Sequence, residues 1–196
     1  MHEALEALKA ELEQFGDAND SQQTERGRRM LNITRDTGEF LAAMVLATAA
    51  RRILEIGTSN GYSTLWLAEA AHATGGLVTT LDHAEDKIAM ASANFARTSL
   101  SGQINLVHDD AGRYLAEVHP ASCDLLFLDS DRHQYVDWWP LLNRALRPGG
   151  VLIVDNFISH KAEIVDFYAL VQADDTFSTS IVAVGKGELF AVKHPV

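Results

Sequence analysis

The stretch Arg52-Ile53-Leu54-Glu55-Ile56-Gly57-Thr58-Ser59-Asn60-Gly61-Tyr62-Ser63-Thr64-Leu65-Trp66-Leu67-Ala68 decides the fold. A short apolar run, Ile53 to Ile56, carries one acid, Glu55. Two glycines follow at a G-x-x-x-G spacing, then a helical pattern with Leu65 and Ala68 three apart and Ala70-Ala71 beyond. The reading is strand, tight glycine turn, helix. Such a turn presents backbone N–H groups and a helix N-terminus at the carboxyl end of a strand, where open α/β sheets bind ligands. A dinucleotide-binding turn carries G-x-G-x-x-G. Position 59 is Ser and the third glycine is missing, so a pyrophosphate cradle and a nicotinamide enzyme are poorly supported.

Outward from this turn, strands and helices alternate. Strands are expected at Leu77–Asp82, Ile104–His108, Asp124–Asp129 and Val151–Asp155. Helices are expected at Glu85–Ala96, Ala111–Val118, Tyr135–Leu146 and His160–Gln172. Pro148-Gly149-Gly150 reads as a stop signal and turn. Ser178–Val184 and Glu188–Val192 are joined by only Gly185-Lys186-Gly187, which permits an antiparallel hairpin and nothing else. The pattern predicts an α/β, Rossmann-like, doubly wound, mostly parallel seven-stranded sheet closed by a C-terminal antiparallel hairpin strand.

Residues 1–50 read as an N-terminal helical cap region. A helix over 2–15 shows Leu5, Leu8 and Leu12 at helical spacing, Gly16–Ser21 is a polar break, and 22–31 is a charged helix. Phe40–Ala50 is an apolar helix opened by Asp36 and Glu39 at capping-box spacing, with Thr37 a rival cap. Without repeats or linkers, residues 1–196 read as one domain, with 51–196 its α/β core.

The composition is that of a globular protein, 47% hydrophobic and 22% charged. A net charge of −11 repels phosphate backbones and anionic lipid surfaces, so neither nucleic acid nor membrane is an expected partner. Cys123 is the single cysteine, which excludes an intrachain disulfide and a Cys-based zinc site. No signal-peptide core is evident, and a cytoplasmic location is expected. Adjacent Trp138 and Trp139 point to different sides of a helix, one toward the core and the other a candidate interface.

Three expected strands end in acids, Asp82, Asp129 and Asp155, and in a parallel sheet these ends share an edge with the Gly57–Gly61 turn. Asp82 suits the two hydroxyls of a ribose. Asp109-Asp110-Ala111 could border an adenine or simply cap the next helix. Asp129 with Asp155-Asn156 offers two carboxylates and an amide oxygen, a set for a hard cation such as Mg²⁺; an Asx turn at Asp155-Asn156 is the alternative.

Glu-x-Gly-x-x-x-Gly resembles the first motif of class I S-adenosylmethionine-dependent methyltransferases. Leu128-Asp129-Ser130-Asp131-Arg132-His133-Gln134-Tyr135 and Leu146-Arg147-Pro148-Gly149-Gly150-Val151-Leu152-Ile153-Val154-Asp155-Asn156 extend the likeness. Together they resemble the divalent-metal-dependent O-methyltransferases of the catechol and caffeoyl-CoA type, over about Met30 to Lys193. The resemblance implies that Asp129, Asp155 and Asn156 bind Mg²⁺, or else Mn²⁺ or Ca²⁺. It implies that Glu55, Gly57, Thr58, Ser59, Gly61, Tyr62, Ser63, Asp82, His83, Asp110, Ala111, Asp129 and Asp131 line the S-adenosylmethionine site. It also implies that Leu31 to Ile33 and Gly38 pass over cofactor and substrate, and that the protein is a homodimer.

The chemistry is expected at Asp129 and Arg132. Arg132 stands where the family carries a lysine proposed to take the substrate's proton, and arginine cannot act as a general base. His133 and His160 are candidate replacements. The expected activity is methyl transfer to a hydroxyl of a small, catechol-like vicinal diol. The alternatives are another small-molecule acceptor without metal catalysis, or a cofactor-binding protein that has lost the catalytic step.

Overall fold

The structure is a computed structural model and describes residues 2–195. Its elements are α1 (His2–Gln22), α2 (Arg35–Ala47), β1 (Arg52–Ile56), α3 (Tyr62–Thr74), β2 (Leu77–Asp82), α4 (Glu85–Phe95) and β3 (Ile104–His108). They continue with α5 (Ala111–Glu117), β4 (Cys123–Leu128), α6 (Tyr135–Ala145), β5 (Leu146–Val154), α7 (Lys161–Ala173), β6 (Phe177–Val182) and β7 (Glu188–Lys193). One seven-stranded sheet runs β3-β2-β1-β4-β5-β7-β6. The first five strands of that order pair in parallel, and β7 joins β5 and β6 antiparallel. The doubly wound sheet with its closing hairpin is therefore as expected. After β1 the chain winds outward through β2 and β3, then returns to lay β4 on the other side of β1. That reversal opens a crevice at the carboxyl ends of β1 and β4.

Strand alternation divides the core. Ile53, Leu125, Phe127 and Ile153 face the layer of α1 to α4, where Leu5, Leu8, Leu41, Val45, Leu65 and Phe95 pack. Leu54, Leu126, Leu128 and Val154 face the layer of α5 to α7, with Leu115, Leu142, Ile164 and Phe167. Both faces of β4 are buried, as its unbroken apolar run requires.

Several local expectations are corrected. α1 continues through the expected break at Gly16–Ser21. A Cβ on Gly16 would stand 2.6 Å from the Asn32 amide nitrogen, so this glycine serves a close approach rather than a turn. Of the expected helix over 22–31, Gln22 is the last residue of α1, and residues 23–31 form only a 3₁₀ turn at Arg26–Arg28 and then run irregularly. This charged stretch has no apolar face with which to dock a helix. α2 begins at Arg35 with Thr34 at the cap position, so Asp36 lies inside the first turn and accepts from the Gly185 N–H at 3.0 Å. Pro148-Gly149-Gly150 lies within β5, where pairing slips from Cys123↔Leu146 to Leu125↔Val151. Gly149 has φ +71°, so the expected turn is an irregularity inside a strand. Both tryptophans are buried; Trp139 packs on Phe167 and Phe177 with ring centroids 5.8 and 5.1 Å apart. It is therefore not available as an interface residue. No described helix is long and apolar enough to cross a membrane.

Candidate active site

Five parallel strands, β3, β2, β1, β4 and β5, end side by side at the carboxyl edge of the sheet. The Asp109 N–H donates to the Asp82 carbonyl at 3.1 Å, and the Gly57 N–H to Leu81 at 3.0 Å. The Asp129 N–H donates to Ile56 and the Asp155 N–H to Leu128, both at 3.0 Å. A cavity of about 850 Å³ lies above these exits. Gly57, Thr58, Ser59, Tyr62, Ser63, Asp82, His83, Asp110, Ala111, Asp129, Asp131, Arg132 and Asn156 line it.

The glycine turn is dictated by crowding. Gly57 has φ +105°, and a Cβ there would fall 2.0 Å from the Asp129 carbonyl oxygen. Gly61 has φ +89°, and its Cβ would meet the Phe95 ring at 2.5 Å. Gly61, Glu55 and Asp155 sit behind the cavity wall rather than on it. Glu55 is fully buried; the Ser63 hydroxyl donates to it at 2.5 Å, and the Thr64 hydroxyl donates to its other oxygen. Burial pushes its carboxyl up to about 7 against those hydroxyls. Glu55 therefore braces the start of α3 against β1 instead of facing a ligand.

Asp82 is already engaged. One carboxylate oxygen accepts from the Ser59 N–H at 2.9 Å and the other from the Ala84 N–H at 3.0 Å. Each oxygen keeps a free lone pair for a hydroxyl donor. Asp110 caps α5, accepting from the Arg113 N–H at 2.9 Å, while still facing the cavity. The cap reading is therefore met, and Asp110 also stands on the cavity wall.

A strap from Thr24 to Ile33 covers one side. Asp20 accepts from the Met30 and Leu31 N–H groups at 2.6 and 2.8 Å. The Ser59 hydroxyl donates to the Met30 carbonyl at 2.7 Å, and Lys87 Nζ to the Arg29 carbonyl at 2.6 Å. Leu31 to Ile33 border the cavity as expected, but Gly38 does not: it packs where a Cβ would press 2.4 Å from the Trp66 indole nitrogen.

Asp129, Asp155 and Asn156 are brought together. Asn156 Nδ2 donates to Asp129 Oδ1 at 3.2 Å and to Asp155 Oδ2 at 2.6 Å. The amide nitrogen thus occupies the gap between two carboxylates, and turning the amide over would offer its oxygen there instead. Burial, then the neighbouring Asp155 charge, raises the Asp129 carboxyl well above its usual range, against the pull of Arg132 and Lys186. Two crowded carboxylates and an amide oxygen are hard donors for an oxygen-seeking divalent ion, so the residues fit one.

Arg132 is buried, and its Nη1 donates to Glu163 Oε2 on α7 at 3.3 Å. His160 and His133 both line the cavity. Burial first, then the charge of Arg132, holds the His160 ring below its usual value.

Sequence reasoning missed Met30, Arg26 and Lys186, which also line the cavity, and Glu188 behind it. Lys186 arrives because the Phe157 and Ile158 N–H groups donate to the Gly187 and Lys186 carbonyls at 2.7 and 3.1 Å. The only signal was the short Gly185-Lys186-Gly187 link, which read as a turn without a destination.

The sequence profile described as O-methyltransferase matches residues 8–192. A catechol O-methyltransferase of Niastella koreensis is 31% identical over 137 residues, 68% of this chain and 62% of that protein. One of Mycobacterium tuberculosis is 34% identical over 126 residues, 64% of this chain and 57% of that protein. The matches thus span less than two thirds of either relative. Among solved structures, an O-methyltransferase from Bacillus cereus in complex with SAH is 27% identical, with TM-score 0.78, covering 95% of this chain and 90% of that one.

Proposed function

Because the chain belongs to the O-methyltransferase family, we propose that it transfers the methyl group of S-adenosylmethionine to one hydroxyl of a small, catechol-like vicinal diol. The observation that carries this reading is one cavity joining a glycine turn and Asp82 on one side to the crowded Asp129 and Asn156 on the other. A ligand held by the first group reaches the second without crossing protein. The relatives named catechol O-methyltransferase favour the acceptor class.

In this reading the Gly57–Ser63 turn offers backbone N–H groups and Asp82 accepts from the ribose hydroxyls. Ala111 and Asp110 border the adenine. Asp129, Asp155 and Asn156 hold a divalent ion, Mg²⁺ or else Mn²⁺ or Ca²⁺. Such an ion would supply a Lewis acid that lowers the pKa of an acceptor hydroxyl. Arg132 adds a fixed positive charge beside Asp129 and accepts no proton. Water or a histidine, His160 or His133, takes the proton.

The proposal is tested by incubating the protein with labelled S-adenosylmethionine and a panel of catechols, with Mg²⁺ or with chelator. Transfer to a catechol that chelator abolishes and Mg²⁺ restores is expected. Transfer to no vicinal diol in the panel would overturn the acceptor class.

A further inference from the structure

The cavity wall sorts by charge. Asp82, Asp109 and Asp110 stand where β2 and β3 end. Arg132, His160 and Lys186 come from the segments that follow β4, β5 and β6, and the strap adds Arg26. The chain has 16 lysines and arginines against 27 acids. Among the described residues, every one of these cations has an ion pair or a side-chain hydrogen bond except Arg26, Lys161 and Lys186. Arg26 and Lys186 line the cavity, and Lys161 does not. Glu25, beside Arg26, is taken by Arg28 at 2.9 Å, and Glu163 by Arg132 at 3.3 Å. The Lys186 carbonyl accepts from the Ile158 and Ser159 N–H groups, both at 3.1 Å, which fixes its backbone and leaves the ammonium idle. Arg26 and Lys186 also face one place: with Arg132, their charges add to burial in holding the His160 ring below its usual value. In a chain this acidic, two idle cations on one cavity wall focus a positive field there. Nothing in the methyl-transfer reading above uses either of them.

We propose that Arg26 and Lys186 form an anion subsite at the acceptor end of the cavity, and that the acceptor carries a carboxylate which they receive. The inference rests on the reading that a vicinal diol is the acceptor, and it adds an acid group to that diol. The charge of Lys186 is felt at Asp129, so the diol end and the acid end lie within reach of one small molecule. A carboxylate suits two single cations on separate segments, and a guanidinium can grip both its oxygens. The double charge of a phosphate fits worse, with Asp129 and Glu163 close by.

Binding by calorimetry, with S-adenosylhomocysteine and Mg²⁺ present, tests this with three probes: catechol, protocatechuate, which adds a ring carboxylate, and dopamine, which adds an amine. Methyl transfer to each is measured alongside. The proteins are the wild type, the double variant Arg26→Gln with Lys186→Gln, Lys186→Arg and Lys186→Glu. Both side chains are exposed, so the variants should fold. Protocatechuate should bind the wild type roughly tenfold tighter than catechol, the sum of two partly screened ion pairs. That preference should vanish in the double variant, survive in Lys186→Arg and pass to dopamine in Lys186→Glu. Equal binding of protocatechuate and catechol to the wild type, or a preference that outlives the double substitution, would overturn the inference and leave the proposed function standing. The expected preferences in a protein that methylates none of the three probes would uphold the subsite and bring down the proposed function. Binding of none of the three would overturn both.

Discussion

At the amino end of β4, Asp124 accepts from the Arg51 and Arg52 N–H groups at 2.9 and 2.8 Å, from Arg52 Nη2 at 2.8 Å and from Arg147 Nε at 2.6 Å. At the carboxyl end of the same strand, Asp129 accepts from one amide at 3.2 Å, while Asp155 raises its carboxyl by repulsion. Both side chains are drawn from water. In Asp124 the hydrogen bonds of Arg52 and Arg147 outweigh burial and hold the carboxyl well below the usual range. In Asp129 burial wins. An acid whose partners come from its own fold is structural. An acid left short of partners, on the edge where the sheet opens a cavity, is one whose partner comes from outside.

The largest effect should follow from removing the satisfied acid. Asp124→Ala strands two backbone N–H groups and frees two guanidinium groups, of which Arg52 and Arg147 can partly turn to solvent. A loss of about 3 kcal/mol in urea unfolding is expected, at the low end for a broken buried pair. Because the folded Asp124 carboxyl is lowered, its contribution is present above the unfolded value of about 4 and is lost as pH falls through the folded one. Asp129→Asn, measured the same way without cation, should stay within about 1 kcal/mol of wild type, because it relieves like-charge repulsion.

Asp82 lies between these extremes, half satisfied by Ser59 and Ala84. Asp82→Ala should weaken S-adenosylmethionine binding by about 1.5–3 kcal/mol, read by calorimetry. Part of that loss comes from the Ser59 turn, which Asp82 anchors. Unchanged affinity would remove Asp82 from the cofactor site.

The smallest effect is expected at Arg132, whose charge is shared between Glu163 and the aspartates. With a catechol acceptor, Arg132→Met should move the rising limb of the pH–rate profile to higher pH and leave the high-pH rate largely intact. An equal loss at every pH, with cofactor and metal binding unchanged, would assign Arg132 a positioning role.

The strands were legible because their apolar runs are short, bounded by glycine or acid, and buried on both faces, as at Leu125–Leu128 and Val151–Val154. The meeting of Asp129 and Asp155 followed from strand order alone. The N-terminal region was less legible. Gly16 and the 22–31 stretch are shaped by contacts with Asn32, Ser59 and Lys87, which are distant in sequence. Glu55 carries the motif yet serves the wall, because the register of β1 turns it inward toward Ser63 and Thr64. Glu188 was invisible because an acid opening an apolar strand gives no sign of its partner until the β5–β7 register is known.

The most direct measurement is Mn²⁺ binding, by calorimetry and by the rise in melting temperature, on the wild type and on Asp129→Asn. The account predicts that Mn²⁺ binds and stabilises the wild type, and that Asp129→Asn, though folded as well as wild type, loses both responses. Equal Mn²⁺ affinity and equal thermal gain in the two proteins would contradict it.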